Sequence, residues 1–214
     1  MPAVENLGMC HHYQLDAIAD DLFIAFNSFM SMPETLPLGS FYPTSLIPVI
    51  RPCDKGREIV PMEWGLLPSW WKPSPKTKSR KVFQRRCFNA RCETANEKPS
   101  YREAFKRRRC LVPVTRFEEK SHYFSLAGGT LFAFAGLWES WQSEGETVQS
   151  CTFLTSEPNA EVRSVGHHRM PIVLRDESEY SLWLNPDIDS REPLAELLMP
   201  LEDGQLGVEQ IAKA

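Results

Sequence analysis

The sequence predicts an α+β fold in which a mostly antiparallel, curved or barrel-like β-sheet carries peripheral helices. Most segments with regular hydrophobicity alternate apolar and polar residues with a period of two, which is typical of strands, and few follow the helical period. The paired glycines at 128–129 separate two strand patterns and favour a hairpin, because glycine readily adopts the positive φ of tight turns. Many strands with few crossover helices indicate antiparallel pairing.

The expected elements can be placed along the chain. Strands are predicted at 47–51, 58–66, 87–92, 110–119, 123–127, 131–138, 151–155 and 170–174. Helices are predicted at 13–30, 100–108, 159–165, 177–184 and 193–199. The segment 72–81 is rich in Pro, Ser and Lys, which predicts a mobile basic loop rather than a domain linker.

Length and composition are typical of one globular domain, 1–214. Residues 1–9 are interpreted as an extension or a misassigned start, and 187–214 as an acidic C-terminal tail or helix. No apolar run approaches the ~18 residues of a membrane helix, and no secretory signal is visible. The six cysteines are scattered and form no disulfide framework, so we expect a cytoplasmic, nucleoid-associated protein without a membrane partner.

Basic residues are concentrated in one part of the chain. Segment 72–116 holds fifteen of the 24 Lys and Arg residues but three of the 28 Asp and Glu residues, a net charge of +12 in a chain whose total is −4. Such segregation is typical of a surface that binds polyanions, because neutralised phosphates release counterions. Charge alone leaves open the alternative of a solvated basic helix without a partner.

Residues 88–113 combine an Asn-x-Arg-x-Glu strand with a basic helix and an apolar strand. Asn89, Arg91 and Glu93 alternate, so on a strand they would share a face and converge on one ligand, with Arg91 binding a phosphate. With this stretch the chain resembles the SRAP family, the SOS-response-associated peptidases or abasic-site processing proteins. The resemblance runs from Met9 to about Pro186 and includes WGLLPSWW (64–71), FEEK (117–120), HHRMP (167–171) and the pair Met9–Cys10.

The resemblance implies a protein that senses abasic sites in single-stranded DNA during the DNA damage (SOS) response. In this family, removal of the initiator Met leaves an N-terminal Cys, whose amine and thiol condense with the sugar aldehyde to a thiazolidine cross-link. That role would fall on Cys10. Autopeptidase (hydrolase) and Schiff-base lyase activities are also implied.

The residues before Cys10 qualify this expectation. An internal Cys10 has an amide nitrogen and cannot form a thiazolidine. Either translation begins at Met9, or residues 1–9 are cut off, or this member lacks the cross-linking activity. An ordinary cysteine here would most often be a small buried hydrophobe.

The resemblance places the other catalytic residues on Glu119, His167 and Asn89. Glu118 is the rival of Glu119, because adjacent side chains on a strand point to opposite faces. A carboxylate near the N-terminal amine would orient it and relay its protons, and His167 would protonate the sugar ring oxygen.

DNA contacts are expected from cationic and aromatic side chains. Paired tryptophans are more often core anchors, but beside a basic loop they could stack on the bases that flank a lesion. His12 stands where the family more often has Arg, and Arg169 would contact phosphate or brace the site. The expected DNA-binding residues are Arg91, Trp70, Trp71, Arg107, Arg108, Arg169 and His12.

Two other functions fit parts of the sequence. A non-covalent single-stranded DNA-binding module would need the basic face and the tryptophans but neither Glu119 nor His167. A Cys/His peptidase would use Cys10, His167 and Asn89. Zinc bound by Cys10 and the histidine pairs is disfavoured, because adjacent side chains on a strand diverge. We therefore expect no metal, no cofactor and a monomer.

Overall fold

The computed structural model describes residues 10–30, 36–75, 77–143 and 145–212. The proposed extension at 1–9 lies outside the described residues. The strands are β1 (His12–Leu15), β2 (Gly39–Phe41), β3 (Leu46–Cys53), β4 (Gly56–Trp64), β5 (Asn89–Arg91), β6 (Arg109–Val114), β7 (Arg116–Glu119), β8 (His122–Leu126), β9 (Phe132–Ser143), β10 (Glu146–Ser156), β11 (Met170–Pro171), β12 (Val173–Leu174) and β13 (Leu206–Gln210). The helices are α1 (Ala19–Ala25), α2 (Arg80–Gln84), α3 (Arg102–Arg107), α4 (Ala160–Ser164) and α5 (Glu177–Leu184), followed by a 3-10 turn at Glu192–Leu194.

The strands form two sheets. The five-stranded sheet has the order β13-β8-β7-β1-β2, and the eight-stranded sheet has the order β11-β10-β4-β3-β6-β9-β12, with β5 beside β10. Among the described strands, only the pairings of β10 with β4 and β5 are parallel. The predicted α+β class, with a mostly antiparallel sheet and peripheral helices, is confirmed.

Aromatic side chains from both sheets share one core. Tyr13 of β1 packs edge-on against Phe134 of β9 and Trp64 of β4, with ring centroids 5.8 Å and 5.5 Å apart. Phe153 of β10 lies 4.7 Å from Phe134 and completes the cluster. Burying large aromatic rings contributes strongly to stability, so this cluster fixes how the sheets meet.

The helices predicted at 100–108, 159–165 and 177–184 are present as α3, α4 and α5. Asn159 caps α4 by accepting from the Val162 N–H, and Asp176 caps α5 by accepting from two N–H groups. None of the described helices is long and apolar enough to cross a membrane. Helix α2 begins at Arg80, inside the segment expected to be a loop.

The helix predicted at 13–30 is wrong over most of its length. Its first residues form β1, in which Tyr13 and Leu15 are buried, and only Ala19–Ala25 is helical. The apolar residues match a helical period, but the pairing of β1 with β2 and β7 decides the structure. Tertiary pairing has overridden the local pattern.

Three further expectations are corrected. The strand predicted at 110–119 is divided between the two sheets as β6 and β7. The glycines at 128–129 do have positive φ, yet β8 and β9, which they connect, belong to different sheets and form no hairpin. In the C-terminal segment, 193–199 holds only part of a 3-10 turn, and Leu206–Gln210 is a strand paired with β8 rather than a tail or helix.

Arg109 has a structural role that its place in the basic segment does not suggest. Its side chain is 4% exposed, and its guanidinium donates to the carbonyl oxygens of Trp183 and Phe105, at 2.5 and 2.7 Å, and to that of Asn185. These bonds join α3 and β6 to the end of α5. The guanidinium of Arg109 is therefore held by backbone carbonyls and is not a free cation of the basic segment.

Replacing Arg109 by Met should lower the free energy of unfolding by about 3 kcal/mol, because buried carbonyls lose a charged donor. The matched change Arg107→Met, on the exposed end of α3, should alter it by less than about 0.5 kcal/mol. Urea denaturation measures both. Equal effects of the two changes would contradict the structural role of Arg109.

Candidate functional site

Cys10 is buried at the entrance to β1 and is fixed through its backbone. Its carbonyl oxygen accepts a hydrogen bond from Asn89 Nδ2 at 2.7 Å, and its thiol lies 3.6 Å from the carbonyl oxygen of His12. Asn89 is the first residue of β5, which pairs with β10. Tyr101 supports it by donating its hydroxyl to the Asn89 carbonyl at 3.4 Å. Cys10 and Asn89 are thus brought together from distant parts of the chain.

Glu119 and His167 form a buried ion pair beside Cys10. Glu119 Oε2 lies 3.0 Å from His167 Nε2, and the two side chains are 2% and 3% exposed. Glu119 ends β7, and His167 lies in the loop between α4 and β11. The opposite ring nitrogen, His167 Nδ1, lies 2.6 Å from the carbonyl oxygen of Arg169.

The hydrogen bonds of His167 determine how many protons the pair holds. A carbonyl oxygen can only accept, so His167 Nδ1 carries a hydrogen and donates it to Arg169. One further proton then lies between Nε2 and the Glu119 carboxyl. The pair is either imidazolium with carboxylate or neutral imidazole with carboxylic acid, and both forms can exchange a proton with a nearby group.

Burial changes the proton affinity of this site. Burial raises the pKa of the Glu119 carboxyl, and the hydrogen bond from His167 offsets part of that rise. Burial opposes the charge of His167, but the hydrogen bond and charge of Glu119 raise the pKa of His167 above its ordinary value. Burial and the charge of Glu119 also raise the pKa of the Cys10 thiol well above its ordinary value. The thiol is therefore protonated near neutral pH, and its use as a nucleophile requires a base.

Glu118 points away from this pair and contacts His12. Its Oε2 lies 2.5 Å from His12 Nδ1, and the His12 ring stacks on Tyr42 with centroids 4.5 Å apart. Of the two neighbouring carboxylates, Glu119 is therefore the one beside His167 and Cys10. His12 is 5% exposed and engaged with Glu118, so it presents no exposed cation to a phosphate, which corrects its expected DNA contact.

Arg169 braces the site. Its guanidinium makes a two-pronged contact with Glu93, at 2.7 and 2.8 Å, and also donates to the carbonyl of Thr155. The expected convergence of Asn89, Arg91 and Glu93 is therefore wrong. Asn89 binds Cys10, Glu93 binds Arg169, and Arg91 is exposed.

The basic segment contains both neutralised and accessible charges. Arg80 pairs with Glu63 and Glu146, and Arg108 pairs with Glu139 at 2.7 Å. Arg108 is thus held by an ion pair rather than free for DNA. Other Lys and Arg residues of segment 72–116 are exposed and form no salt bridge with described residues. They are Lys72, Lys78, Arg85, Arg86, Arg91, Lys98, Lys106 and Arg107.

Only one of the two expected stacking tryptophans is accessible. Trp70 is 55% exposed, with its Nε1 donating to the carbonyl of Pro99 at 3.2 Å. Trp71 is 5% exposed, packs against Trp141, and accepts from Trp141 Nε1 through its carbonyl. Trp71 is therefore a core anchor, which corrects its expected stacking on DNA.

Several partners at this site carry no local sequence signal. Tyr42, Tyr101 and Thr155 reach His12, Asn89 and Arg169 only through the fold. Glu93 lies within the Asn-x-Arg-x-Glu pattern, but its pairing with Arg169 is not visible there. Among the described residues no cluster of three or more His, Cys, Asp or Glu side chains is suited to hold a metal ion. His167 Nε2 is paired with a carboxylate, Glu119, whereas a cysteine peptidase pairs its imidazole with the thiol.

Residues 9–214 match the SOS response associated peptidase (SRAP) family, and the chain belongs to this family. It is 31% identical over 221 residues to the abasic site processing protein YoqW of Bacillus subtilis (strain 168), an alignment that covers 95% of this chain and 92% of that protein. It is 28% identical over 177 residues to the abasic site processing protein HMCES of Gallus gallus, covering 69% of this chain and 51% of HMCES.

Solved structures have the same fold. A protein from Bacteroides thetaiotaomicron has a TM-score of 0.78 at 25% identity, covering 95% of this chain and 92% of that one. A protein from Bordetella bronchiseptica has a TM-score of 0.77 at 23% identity, covering 95% of this chain and 100% of that one.

The ion pair with Glu119 should shift the pKa of His167. NMR follows this titration, and a His167→Asn variant identifies the signal of the His167 ring. The imidazole should titrate above about 6.5 in the wild type and at lower pH in Glu119→Gln, because burial then acts without the opposing charge. A raised pKa in the folded state means that the stabilisation is complete at low pH and is lost as pH rises through that pKa. The free energy of unfolding of the wild type should therefore exceed that of Glu119→Gln by a smaller margin above neutral pH than below it. The same titration in both proteins would contradict the coupling.

Proposed function

We propose that this protein processes abasic sites in single-stranded DNA by forming a covalent thiazolidine cross-link through Cys10. The family and the names of the relatives support the abasic site as the target. The observation that carries the chemistry is the environment of Cys10, whose carbonyl is fixed by Asn89 and whose thiol lies in the field of Glu119.

The mechanism requires Cys10 to be the first residue of the active protein. The family match begins at residue 9, which is a Met, so translation from Met9 followed by removal of that Met would expose the α-amine. Self-cleavage between Met9 and Cys10 would give the same product and is the peptidase activity that we propose.

The chemistry balances without a cofactor. The α-amine of Cys10 adds to the aldehyde carbon of the ring-opened sugar, and loss of one water gives an imine. The thiol sulfur then bonds to the same carbon while its proton is transferred to the nitrogen, which closes the thiazolidine. If the imine instead loses the 3′ phosphate by elimination, the result is Schiff-base lyase activity.

The buried pair supplies the proton transfers. The raised pKa of the Cys10 thiol means that ring closure needs a base. The Glu119 carboxyl is the charged group with the largest effect on that thiol, ahead of Glu118. His167 shares a proton with Glu119. In this proposal His167 donates that proton to the sugar ring oxygen. Asn89 orients Cys10, so its role is positioning.

A single strand is the favoured substrate. The sugar must reach a buried residue, and stacked neighbours in a duplex would hold it away. Trp70 and Arg91 are both exposed, and in this proposal they contact the bases and phosphates beside the lesion. A non-covalent DNA-binding module is the second candidate, supported by the exposed cations alone.

Protein that begins at Cys10 should form an adduct with abasic single-stranded DNA that survives denaturation, whereas protein with residues 1–9 intact should not. The reason is that thiazolidine closure needs an amine and a thiol on one residue. Denaturing gels measure the adduct, and intact mass establishes each N-terminus. Cys10→Ala should leave only an imine that borohydride traps, while Cys53→Ala should still form the adduct that survives denaturation.

Cross-linking by protein with residues 1–9 intact would refute Cys10 as the reacting residue. Binding without any adduct from the Cys10 form would favour the non-covalent module.

Glu119→Gln should slow adduct formation about 100-fold or more, because a base for the thiol is lost. Glu118→Gln, a matched change on the opposite face of β7, should have little effect on this rate. Single-turnover rates at saturating DNA separate chemistry from binding, and binding should be unchanged in both variants. A larger loss in Glu118→Gln would assign the base to the other carboxylate.

A further inference from the structure

A cavity lies where the end of α3 meets the β3–β4 turn and the residues after α5. Its volume is about 330 Å³, within the range of ligand-binding clefts. It has an apolar part, centred on the half-buried indole of Trp138, and a cationic part. The lining residues are Pro52, Cys53, Asp54, Lys106, Arg107, Arg109, Trp138, Leu184 and Pro186.

The charge of this cavity favours an anion. Lys106 and Arg107 are exposed and form no salt bridge with described residues, whereas Asp54 is the one carboxylate that lines the cavity. The indole of Trp138 is held in place by Arg51, whose guanidinium carbon lies 4.6 Å from the ring centroid. The cavity therefore offers free cations beside a fixed aromatic ring.

A row of cations leads towards this cavity from the Cys10 site. Lys98, Arg102 and Lys106 are exposed and spaced four residues apart. Arg102 and Lys106 lie on one face of α3, and Lys98 lies in the preceding turn, where its carbonyl accepts from the Arg102 N–H at 2.9 Å. At a rise of about 1.5 Å per residue, Arg102 and Lys106 lie about 6 Å apart along the axis of α3. The row starts beside Trp70, whose Nε1 donates to the Pro99 carbonyl, and beside Tyr101, whose hydroxyl donates to the Asn89 carbonyl.

We propose that this cavity is a secondary binding site for the single-stranded DNA that flanks the lesion. Lys106 and Arg107 bind phosphates, and Trp138 stacks on a base, a combination that suits single strands of any sequence. The inference rests on the proposed function for its choice of DNA, and it adds a contact remote from the reacting residue. An acidic peptide would satisfy the cations but would not use the indole.

Strand length provides the test. Oligonucleotides of about 5 and about 15 nucleotides, each with a tetrahydrofuran abasic analogue that has no aldehyde, separate binding from chemistry. Wild-type protein should bind the longer strand at least about tenfold more tightly, by fluorescence anisotropy. Lys106→Ala and Arg107→Ala should each remove part of this gain and lower the salt slope for the long strand by about one, with no change for the short strand.

The control is Arg163→Ala, which removes an exposed cation of α4 and should change neither affinity. No gain with length in the wild type, or equal losses on both strands in the Lys106 and Arg107 variants, would overturn the proposal. Equal competition by a polyglutamate peptide and by an undamaged oligonucleotide would also overturn it.

Cys53 gives a readout that does not depend on these substitutions. It lines the cavity and is half-buried, whereas the other five cysteines are buried. The longer strand should slow the alkylation of Cys53 by iodoacetamide, and the short strand should not. Equal rates with both strands would overturn the proposal.

Adduct formation on a short oligonucleotide with a true abasic site tests the proposed function separately. An adduct without length dependence would reject the secondary site alone, and length dependence without an adduct would reject the covalent function alone.

Discussion

The buried contact between Glu119 and His167 is the interaction on which the site depends. It joins the end of β7, in the five-stranded sheet, to the loop that enters β11 in the eight-stranded sheet. Removing each charge from water costs several kcal/mol, so the pair is favourable only while both partners and their hydrogen bonds are in place. Cys10 lies against this pair, and its thiol therefore depends on how the two sheets meet.

Hydrogen bonds and an ion pair also fix Cys10 and Arg169, the residues on either side of the Glu119–His167 pair. Asn89 fixes the carbonyl of Cys10, and Arg169 is fixed by Glu93 and Thr155. Arg169 also provides the carbonyl oxygen that orients His167. Side chains that look like ligands for DNA in the sequence are thus used to position Cys10 and His167. In the function that we propose, the charge for DNA binding comes instead from exposed residues such as Arg91 and Lys106.

The sequence predicts elements whose signals are local. Helix α5 was predicted over its full extent, since Asp176 caps it and its buried residues follow the helical period. The prediction at 13–30 failed because the strand β1 is set by partners distant in sequence. The choice between Glu118 and Glu119 was open for the same reason. Both are carboxylates on adjacent positions, and only the pairing of His12 with Glu118 across β1 and β7 shows which faces His167.

Tandem mass spectrometry of the cross-linked peptide tests most directly whether Cys10 is the reacting residue. Protein purified from its native host is reacted with abasic single-stranded DNA, and both protein and DNA are then digested. We expect a sugar remnant on a peptide that begins at Cys10, with the remnant joined to both the amine and the sulfur of that residue. A remnant on a lysine, or on a peptide in which Met9 still precedes Cys10, would contradict it.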